Sequence, residues 1–275
     1  MTARRGARSR RATAGLALLG LVISLVFAGP LVSPWGWDVT DFTAFDQGPS
    51  ARHWLGTTQS GRDVFALTLR GARMSLLIGV FAAVISTGLA AVVGTAAGYA
   101  GGRADRILMR GADLLLVLPP LLIVVVPAPR ISGGVPVLAA LLAAFMWMFT
   151  ARMVRAMTVS LREREYVLAA RFLGVGAPRV IVRHVLPQLA SLLAVDVSLN
   201  VGVAIIAESG LSYLGLGVRP PDVSLGTLIA DGHGAAAARP WPFGFAAGLL
   251  VLVVVAVNLL GDGLRDVLDP VRDGS

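Results

Sequence analysis

Six long apolar segments alternate with polar stretches along the chain. A helix needs about 20 apolar residues to cross the hydrocarbon core of a bilayer, at 1.5 Å of rise per residue. The pattern therefore predicts an all-α membrane protein with six transmembrane helices. The predicted spans are residues 14–32, 74–99, 111–126, 135–154, 189–206 and 243–260.

The first apolar segment follows a basic tail, residues 1–13, as in a secretory signal peptide. The segment is long, however, and it ends in Gly-Pro-Leu-Val-Ser-Pro-Trp instead of a small-x-small cleavage site. We therefore expect residues 14–32 to be retained as a transmembrane anchor.

The composition agrees with a membrane protein and excludes several soluble functions. Of the 275 residues, 56% are hydrophobic and 15% are charged, and the mean hydropathy is +0.76. Soluble domains are roughly a quarter charged. The chain has no cysteine, which excludes disulfides and thiolate metal sites, and it has no lysine. Because a Walker A phosphate loop requires lysine, the chain cannot bind ATP in that way.

The arginines predict the orientation of the spans. A net charge of +8 on a soluble protein would favour nucleic acid as a partner, but in a membrane protein it is better explained by topology. With the N-terminus in the cytoplasm, 17 of the 24 arginines fall in cytoplasmic segments. We therefore expect both termini in the cytoplasm, including a tail of residues 266–275. The extracytoplasmic segments are then residues 33–73 and 210–241, and no nucleic acid partner is expected.

The second predicted span is rich in small residues, including Gly88, Gly94 and Gly98. In lipid, small residues let helix backbones approach closely, because packing drives helix association there. The spacing of Gly94 and Gly98, four residues apart, therefore predicts a helix–helix packing contact, and the pattern leaves open a place where helices slide.

Residues 163–188 form an arginine-rich stretch with the pattern of two short helices. Gly174 can end the first helix, because glycine adopts the left-handed conformation without a Cβ clash. Pro178 suits the first turn of the second helix, and Pro187 should kink the entry into the fifth span. The predicted apolar face of the first helix contains Tyr166, Val167, Ala169, Ala170 and Leu173. Such an element either binds in a partner's groove or lies on anionic lipid, and the pattern leaves both open.

The same stretch resembles the EAA-type cytoplasmic loop of ABC importer permeases. The matching positions are an alanine pair, a glycine four residues later and a His-x-Leu-Pro ending, at Ala169, Ala170, Gly174, His184, Leu186 and Pro187. Flanking motifs resemble the C-type permease of the dipeptide/oligopeptide/nickel branch. They are H-W-L-G-T-T-Q-S-G-R-D (53–63), G-A-R-M-S-L-L-I-G (71–79), G-L-S-Y-L-G-L-G-V-R-P-P (210–221) and N-L-L-G-D-G-L-R-D-V-L-D-P (258–270).

The resemblance implies a permease subunit of a binding-protein-dependent ABC importer of the type I class, located in the bacterial inner (plasma) membrane. The permease core, residues 74–265, would form half of the translocation pathway for short peptides, or for nickel or another small solute. The implied partners are a second permease subunit, two cytoplasmic ATPases and an extracytoplasmic solute-binding protein. No catalytic residue and no cofactor are expected in this chain.

In the family, the EAA loop is the coupling helix that docks into a cleft of the ATPase. By resemblance, docking is assigned to eight residues of the 163–187 loop: Glu165, Tyr166, Ala169, Ala170, Arg171, Gly174, His184 and Pro187. One position departs from the family pattern, because Leu168 replaces the usual acidic residue of the triplet. Glu163 or Glu165 could supply that charge from one turn earlier.

Three polar residues fall within or near the fifth predicted span. Asp196 and Asn200 are four residues apart and share a helical face, and Glu208 lies near the outer end. Because burying an ionisable group in lipid is costly, such residues are functional candidates by default. They either line the translocation path or make interior packing contacts. Asp196 also leaves open an alternative function, that of an ion-coupled secondary transporter.

Other chemistry is disfavoured by the positions of the residues. His53, His184 and His233 are far apart and fall on both membrane faces, so no metal site is expected. Ser209 with His233 is faintly similar to an intramembrane serine protease, but His233 falls in a hydrophilic segment where it cannot meet Ser209. A membrane-anchored regulatory protein that uses the arginine-rich loop and carries no substrate is a further alternative.

Overall fold

The computed structural model describes residues 2–117 and 134–268, with side chains in residues 13–117 and 134–266. The α-helices in this part of the chain are α1 (Thr2–Val32), α2 (Val64–Ala100), α3 (Gly102–Val117), α4 (Gly134–Leu161), α5 (Glu165–Phe172), α6 (Ala177–Val180), α7 (Leu186–Tyr213), α8 (Leu225–His233) and α9 (Pro240–Leu268). A π-helical turn, Ile181–Val185, joins α6 to α7. The described residues contain isolated β-bridges but no strand. The prediction of an all-α protein is confirmed.

Five helical segments among the described residues are long and apolar enough to cross a membrane. They are Thr13–Val32, Val64–Ala100, Gly134–Leu161, Ala177–Tyr213 and Pro240–Asp266. These segments correspond to the first, second, fourth, fifth and sixth predicted spans. The predicted span 111–126 overlaps only the end of α3, and its remainder lies outside the described residues. Five of the six predicted spans are therefore found as helices.

α2 begins ten residues before the predicted start of the second span. Asp63 caps the helix, since its Oδ1 accepts a hydrogen bond from the Ala66 N–H at 2.9 Å. Arg70 and Arg73 interrupt the apolar run in the sequence, so the sequence predicts a start of the span after them. In the structure their guanidinium groups lie over aromatic rings, 4.8 and 5.0 Å from the ring centroids. The polar segment after α1 is therefore residues 33–63.

α2 and α7 hold the bundle together because both contribute to its two largest buried cores. The first core joins α1, α2, α7, α8 and α9 through Val22, Val26, Leu67, Ala72, Leu76, Ala83, Val201, Ile205, Leu225, Leu228, Ala246, Val253 and Val257. The second joins α2, α4 and α7 through Ile78, Ala82, Leu138, Ala139, Leu142, Met146, Ala204 and Leu211. α1 packs mainly against α9, at the side of this arrangement.

Two glycines bring the backbones of α2 and α4 together. A Cβ atom on Gly94 would lie 2.6 Å from the carbonyl oxygen of Ala151, and one on Gly98 would lie 2.7 Å from that of Arg155. The predicted packing contact is therefore found at these two positions. Gly88 takes no part in this contact, because that residue is exposed and a Cβ there would meet nothing within 4 Å.

Gly94→Val is expected to lower the stability of the protein by about 2 kcal/mol or more, because the added side chain overlaps the backbone of α4. Gly88→Val is the matched control, since it introduces the same residue into the same helix but meets open space. The measurement is the midpoint of thermal aggregation in detergent. Equal midpoints for the two variants would contradict the close approach of α2 and α4.

A folded cap, made of residues 33–63, α8 and residues 234–239, lies at one end of the bundle. The chain enters and leaves it at the end of α1, the start of α2, the end of α7 and the start of α9, so these ends face the same side. An ion pair between Arg239 and Asp46 joins the two parts of the cap. The cap is thus a tertiary element and not a pair of separate loops.

A buried histidine organises the first part of the cap. His53 is 1% exposed, and its ring lies between two carboxylates, with Nδ1 2.9 Å from Asp63 and Nε2 3.4 Å from Asp41. Hydrogen bonds from the Thr43 hydroxyl and N–H are the main reason why the pKa of Asp41 is lowered to about 2. The indole of Trp35 stacks on the imidazole at 4.7 Å. Because Asp63 also caps α2, this network attaches the cap to the start of that helix.

Candidate functional site

The 163–187 loop folds as helix, turn and helix, in agreement with its sequence. Gly174 has a φ of +78°, the left-handed conformation predicted for it. The N–H of Val175 bonds to the carbonyl of Ala170 at 3.1 Å, and the N–H of Gly174 bonds to that of Arg171 at 3.0 Å. These two bonds form a Schellman motif, which satisfies the last carbonyls of α5. Pro178 lies in the first turn of α6, where its missing N–H has no cost.

The inner side of the loop is packed on the bundle. Val167, Ala170 and Val180 are buried together, and the ring of Tyr99 at the end of α2 packs against them. The guanidinium of Arg171 lies over the same ring, 5.8 Å from its centroid. The loop is therefore held in one position by its own apolar contacts.

The outer side of the loop exposes large apolar side chains. Phe172 is 90% exposed, Leu173 84% and Tyr166 42%. We call these three residues the apolar tip. The predicted single apolar face of α5 is thus divided between a buried side and an exposed side. Phe172 was not singled out from the sequence, although two large apolar residues directly before a glycine turn in an arginine-rich loop are a recognisable signal. Exposed apolar clusters of this kind mark protein–protein or membrane interaction sites.

The other residues predicted for this site lie around the tip. Glu165 and Ala169 are exposed on α5, and Glu165 lies in the first turn, where the helix dipole favours a negative charge. His184 is half-buried, with its ring centroid 6.3 Å from that of Tyr166. Pro187 is exposed at the start of α7. The structure therefore brings most of the predicted residues to one end of the bundle, whereas Ala170 is buried beneath them.

A π turn directly precedes Pro187, the residue at which the sequence predicts a kink. Within Ile181–Val185 the helix widens, and the N–H of Leu186 bonds to the carbonyl of Ile181, five residues earlier. α6, the π turn and α7 then form one helical segment of 37 residues, Ala177–Tyr213. The loop is therefore continuous with α7 in a single helical segment.

Asp196 joins three helices through hydrogen bonds. Thr87 of α2 donates to its Oδ2 at 2.6 Å, and Thr150 of α4 donates to its Oδ1 at 2.9 Å. Asn200, one turn further along α7, donates to the same Oδ2 at 2.8 Å. Both carboxylate oxygens are thus occupied by partners from within the chain. Asp196 is half-buried and makes the interior contacts that are one of the two roles left open by the sequence.

Glu208 is fully buried inside a cage of serine hydroxyls. Its Oε2 accepts a hydrogen bond from Ser75 of α2 at 2.8 Å, and its Oε1 accepts one from Ser212 at 2.6 Å. Ser209 lies 3.5 Å from Oε2. The Ser75 oxygen in turn accepts the N–H of Leu225, the first residue of α8, at 3.2 Å. The cage therefore connects α2, α7 and the cap at a single carboxylate.

The three histidines occupy separate places, as the sequence predicts. His53 is in the cap, His184 is in the loop, and His233 lies at the end of α8 with its ring 5.3 Å from that of Tyr213. In residues 2–117 and 134–268 no group of three or more His, Asp or Glu side chains is arranged to hold a metal ion. Ser209 contacts Glu208 and not His233.

These features define a class of protein. The chain is a helical membrane bundle with a folded loop at one end and a polar cap at the other. Both ends are anchored to α2 and α7. Such an arrangement suits a subunit of a membrane transporter that is contacted by other proteins at its ends.

Comparison with known proteins agrees with this class. Residues 90–273 match the family described as the binding-protein-dependent transport system inner membrane component. The chain is 53% identical to the oligopeptide transport system permease protein OppC of Mycobacterium tuberculosis (strain ATCC 25618 / H37Rv) over 98% of this chain and 94% of that protein. It is 41% identical to a putative peptide permease protein of Brucella suis biovar 1 (strain 1330) over 98% and 90%. It is 38% identical to OppC of Bacillus subtilis (strain 168) over 95% and 86%.

The chain belongs to the family of binding-protein-dependent transport system inner membrane components. It is therefore a membrane-spanning permease subunit of an ABC importer, and it acts with a solute-binding protein and ATPase subunits. It is a transport component and not an enzyme. The prediction made from the loop and its flanking motifs is confirmed at this level.

Proposed function

We propose that this chain forms half of a translocation pathway for short peptides and pairs with a second, homologous permease subunit. The cargo is supported by the relatives, which are named as oligopeptide or peptide permeases and align with nearly all of this chain. The pairing is supported by the architecture, because a bundle of this size with two anchored ends supplies one wall of a pathway. A partner bundle would supply the other wall.

The proposed mechanism rests on the exposure of the apolar tip. We propose that Tyr166, Phe172 and Leu173 insert into a groove on a cytoplasmic ATPase, so that ATP-driven closure of the ATPases moves the 163–187 loop. Burying a large apolar side chain contributes about 1.5–3 kcal/mol. Leu168 is half-buried and its apolar side chain cannot make an ionic contact. Glu165 is exposed beside the tip and supplies the acidic contact in this chain.

The distribution of arginine supports the proposed orientation. With the loop in the cytoplasm, 17 of the 24 arginines fall on the cytoplasmic side. The cap is then extracytoplasmic and faces the solute-binding protein. Glu208 has no exposed surface, so its proposed role is to hold the cap on α2 and α7 and not to contact cargo.

The test of the proposed function is reconstitution. The chain is placed in lipid vesicles with the second permease subunit and the two ATPases, and the solute-binding protein is added on the cap side. ATP on the loop side is expected to drive uptake of a labelled short peptide, and a vesicle without ATP is the control. Uptake that does not depend on ATP but is abolished by an ionophore would contradict the proposal.

Asp196→Asn is expected to leave ATP-driven uptake in place and to lower stability by about 1 kcal/mol. The amide keeps one acceptor for the hydroxyl of Thr87 or Thr150 but loses the second, which has the cost of about one hydrogen bond. Uptake and thermal stability are measured on the same reconstituted sample. Loss of uptake with unchanged stability would instead favour an ion-coupled role for Asp196.

A further inference from the structure

A cavity of about 380 Å³ opens in the cap, and none of its lining residues belongs to the 163–187 loop or makes the hydrogen bonds of Asp196 and Glu208. Its walls come from residues 58–68, from α8 and from residues 235–242. Two arginines and two aspartates line it, together with an apolar floor. The cavity is thus a mixed polar and apolar site at the surface proposed to face the exterior.

One of the two arginines lacks a partner. Arg239 forms an ion pair with Asp46. Arg62 forms no salt bridge with any carboxylate in the described residues, and its Nε is buried without a hydrogen-bond partner. A buried guanidinium donor that is left unsatisfied costs free energy, and a carboxylate is the group that fits its planar fork best. The Arg62 side of the cavity is therefore suited to an anionic group.

One of the two aspartates also forms no ion pair within the described residues. Asp231 is an exposed residue of the cavity lining, and the partial desolvation of its carboxyl raises its pKa above the usual value. Within the described residues Asp231 and Arg62 form no ion pair with each other, although both line the cavity. The Asp231 side of the cavity is therefore suited to a cationic group such as an ammonium.

Part of the cavity lining is apolar. Val64, Leu67, Val223 and Leu228 line the same cavity. The volume lies at the lower end of the range for small-molecule sites, about 300–1,000 Å³. The complementary ligand therefore has one positive end, one negative end and an apolar body no larger than a small peptide.

We propose that this cavity binds a small zwitterion, either an amino acid or a dipeptide, with its carboxylate at Arg62, its ammonium at Asp231 and its apolar side chains on the floor. The site would be separate from the translocation pathway. The charge pattern of the cavity supports a zwitterion independently of the proposed function. The choice of a dipeptide as that zwitterion rests on the proposed function.

The test measures binding to the assembled importer in nanodiscs, without solute-binding protein and without nucleotide. The probes are leucine, Leu-Leu, N-acetyl-Leu-Leu and Leu-Leu-amide, and binding is followed by saturation-transfer NMR with calorimetry. Each blocked peptide lacks one of the two charged ends. Unmodified Leu-Leu is expected to bind at least about tenfold more tightly than either blocked form, the effect of one charge-assisted hydrogen bond. Comparing leucine with Leu-Leu shows which size fits.

Two substitutions test which residue binds each charged end of the ligand. Arg62→Gln is expected to bind Leu-Leu and its amide equally while still discriminating against the acetylated form. Asp231→Asn is expected to show the reverse pattern. Asp38→Asn, at an exposed position of the same cap, and Arg73→Gln on α2 are the controls and should leave all affinities unchanged. A misfolded variant would lose every affinity together, so the crossed pattern is specific to the site.

Equal affinities for the free and blocked peptides, or discrimination that neither substitution changes, would overturn the proposal. The proposed function fails on a different observation, the absence of ATP-driven peptide uptake when the solute-binding protein is present. Leu-Leu binding with the crossed pattern but no peptide uptake would support the cavity site and contradict the proposed cargo.

Discussion

Replacing both Phe172 and Leu173 with aspartate is expected to abolish most ATP-driven uptake while the protein stays folded in the membrane. The two side chains are 90% and 84% exposed, so the change removes no internal contact of the isolated chain. Across an interface with an ATPase, each would contribute about 1.5–3 kcal/mol of apolar burial. Losing roughly 3 kcal/mol or more weakens that interface by about 100-fold, and placing carboxylates against an apolar groove weakens it further.

The measurement is uptake in reconstituted vesicles together with recovery of the ATPase on affinity-purified permease. Phe42→Asp is the matched control, because Phe42 is 80% exposed but belongs to the cap. We expect the control to retain the ATPase. Full recovery of the ATPase by the double variant would show that the apolar tip is not the docking surface, whatever the effect on uptake.

Glu208→Ala is expected to destabilise the protein by about 2–3 kcal/mol. The substitution removes the acceptor of Ser75 and Ser212, and these buried hydroxyls then have no equivalent partner. Because Ser75 also accepts the N–H at the start of α8, the cap should loosen together with the bundle. Thermal unfolding in detergent measures the first effect, and hydrogen exchange of α8 measures the second.

A double-mutant cycle with Ser75→Ala separates the cage from a general loss of packing. The double variant is expected to be less destabilised than the two single variants added together, since each removes the same hydrogen bond. Glu165→Ala, at an exposed glutamate, is the control and should change stability by less than about 0.5 kcal/mol. Additive effects in the cycle would contradict the hydrogen-bonded cage.

Hydropathy predicted the five helical spans that the structure describes. The errors lie at helix ends, where another interaction decides the boundary. α2 starts at the Asp63 cap and not where the apolar run becomes uninterrupted, since Arg70 and Arg73 lie over aromatic rings. Neither periodicity nor hydropathy accounts for helix capping or for contacts between arginines and aromatic rings. The Schellman turn was predictable at Gly174, because only a glycine takes that conformation without strain.

The site was predictable in position but not in detail. The family motif located the loop, yet helical periodicity grouped Tyr166 and Leu173 with the buried Val167. Which side of a short helix is buried depends on a distant residue, here Tyr99 at the end of α2, and no local pattern contains that information. The serine cage is hidden for the same reason, since Ser75 and Glu208 are 133 residues apart.

The segment Ala177–Tyr213 connects the two ends of the molecule as a single piece. Its 37 residues extend for about 55 Å at 1.5 Å per residue. The loop is attached at one end, and the Glu208 cage is attached near the other. The segment can therefore act as a lever: a tilt imposed on the 163–187 loop would displace the base of the cap directly. The π turn at Ile181–Val185 interrupts the α-helical hydrogen bonding of this segment close to the loop.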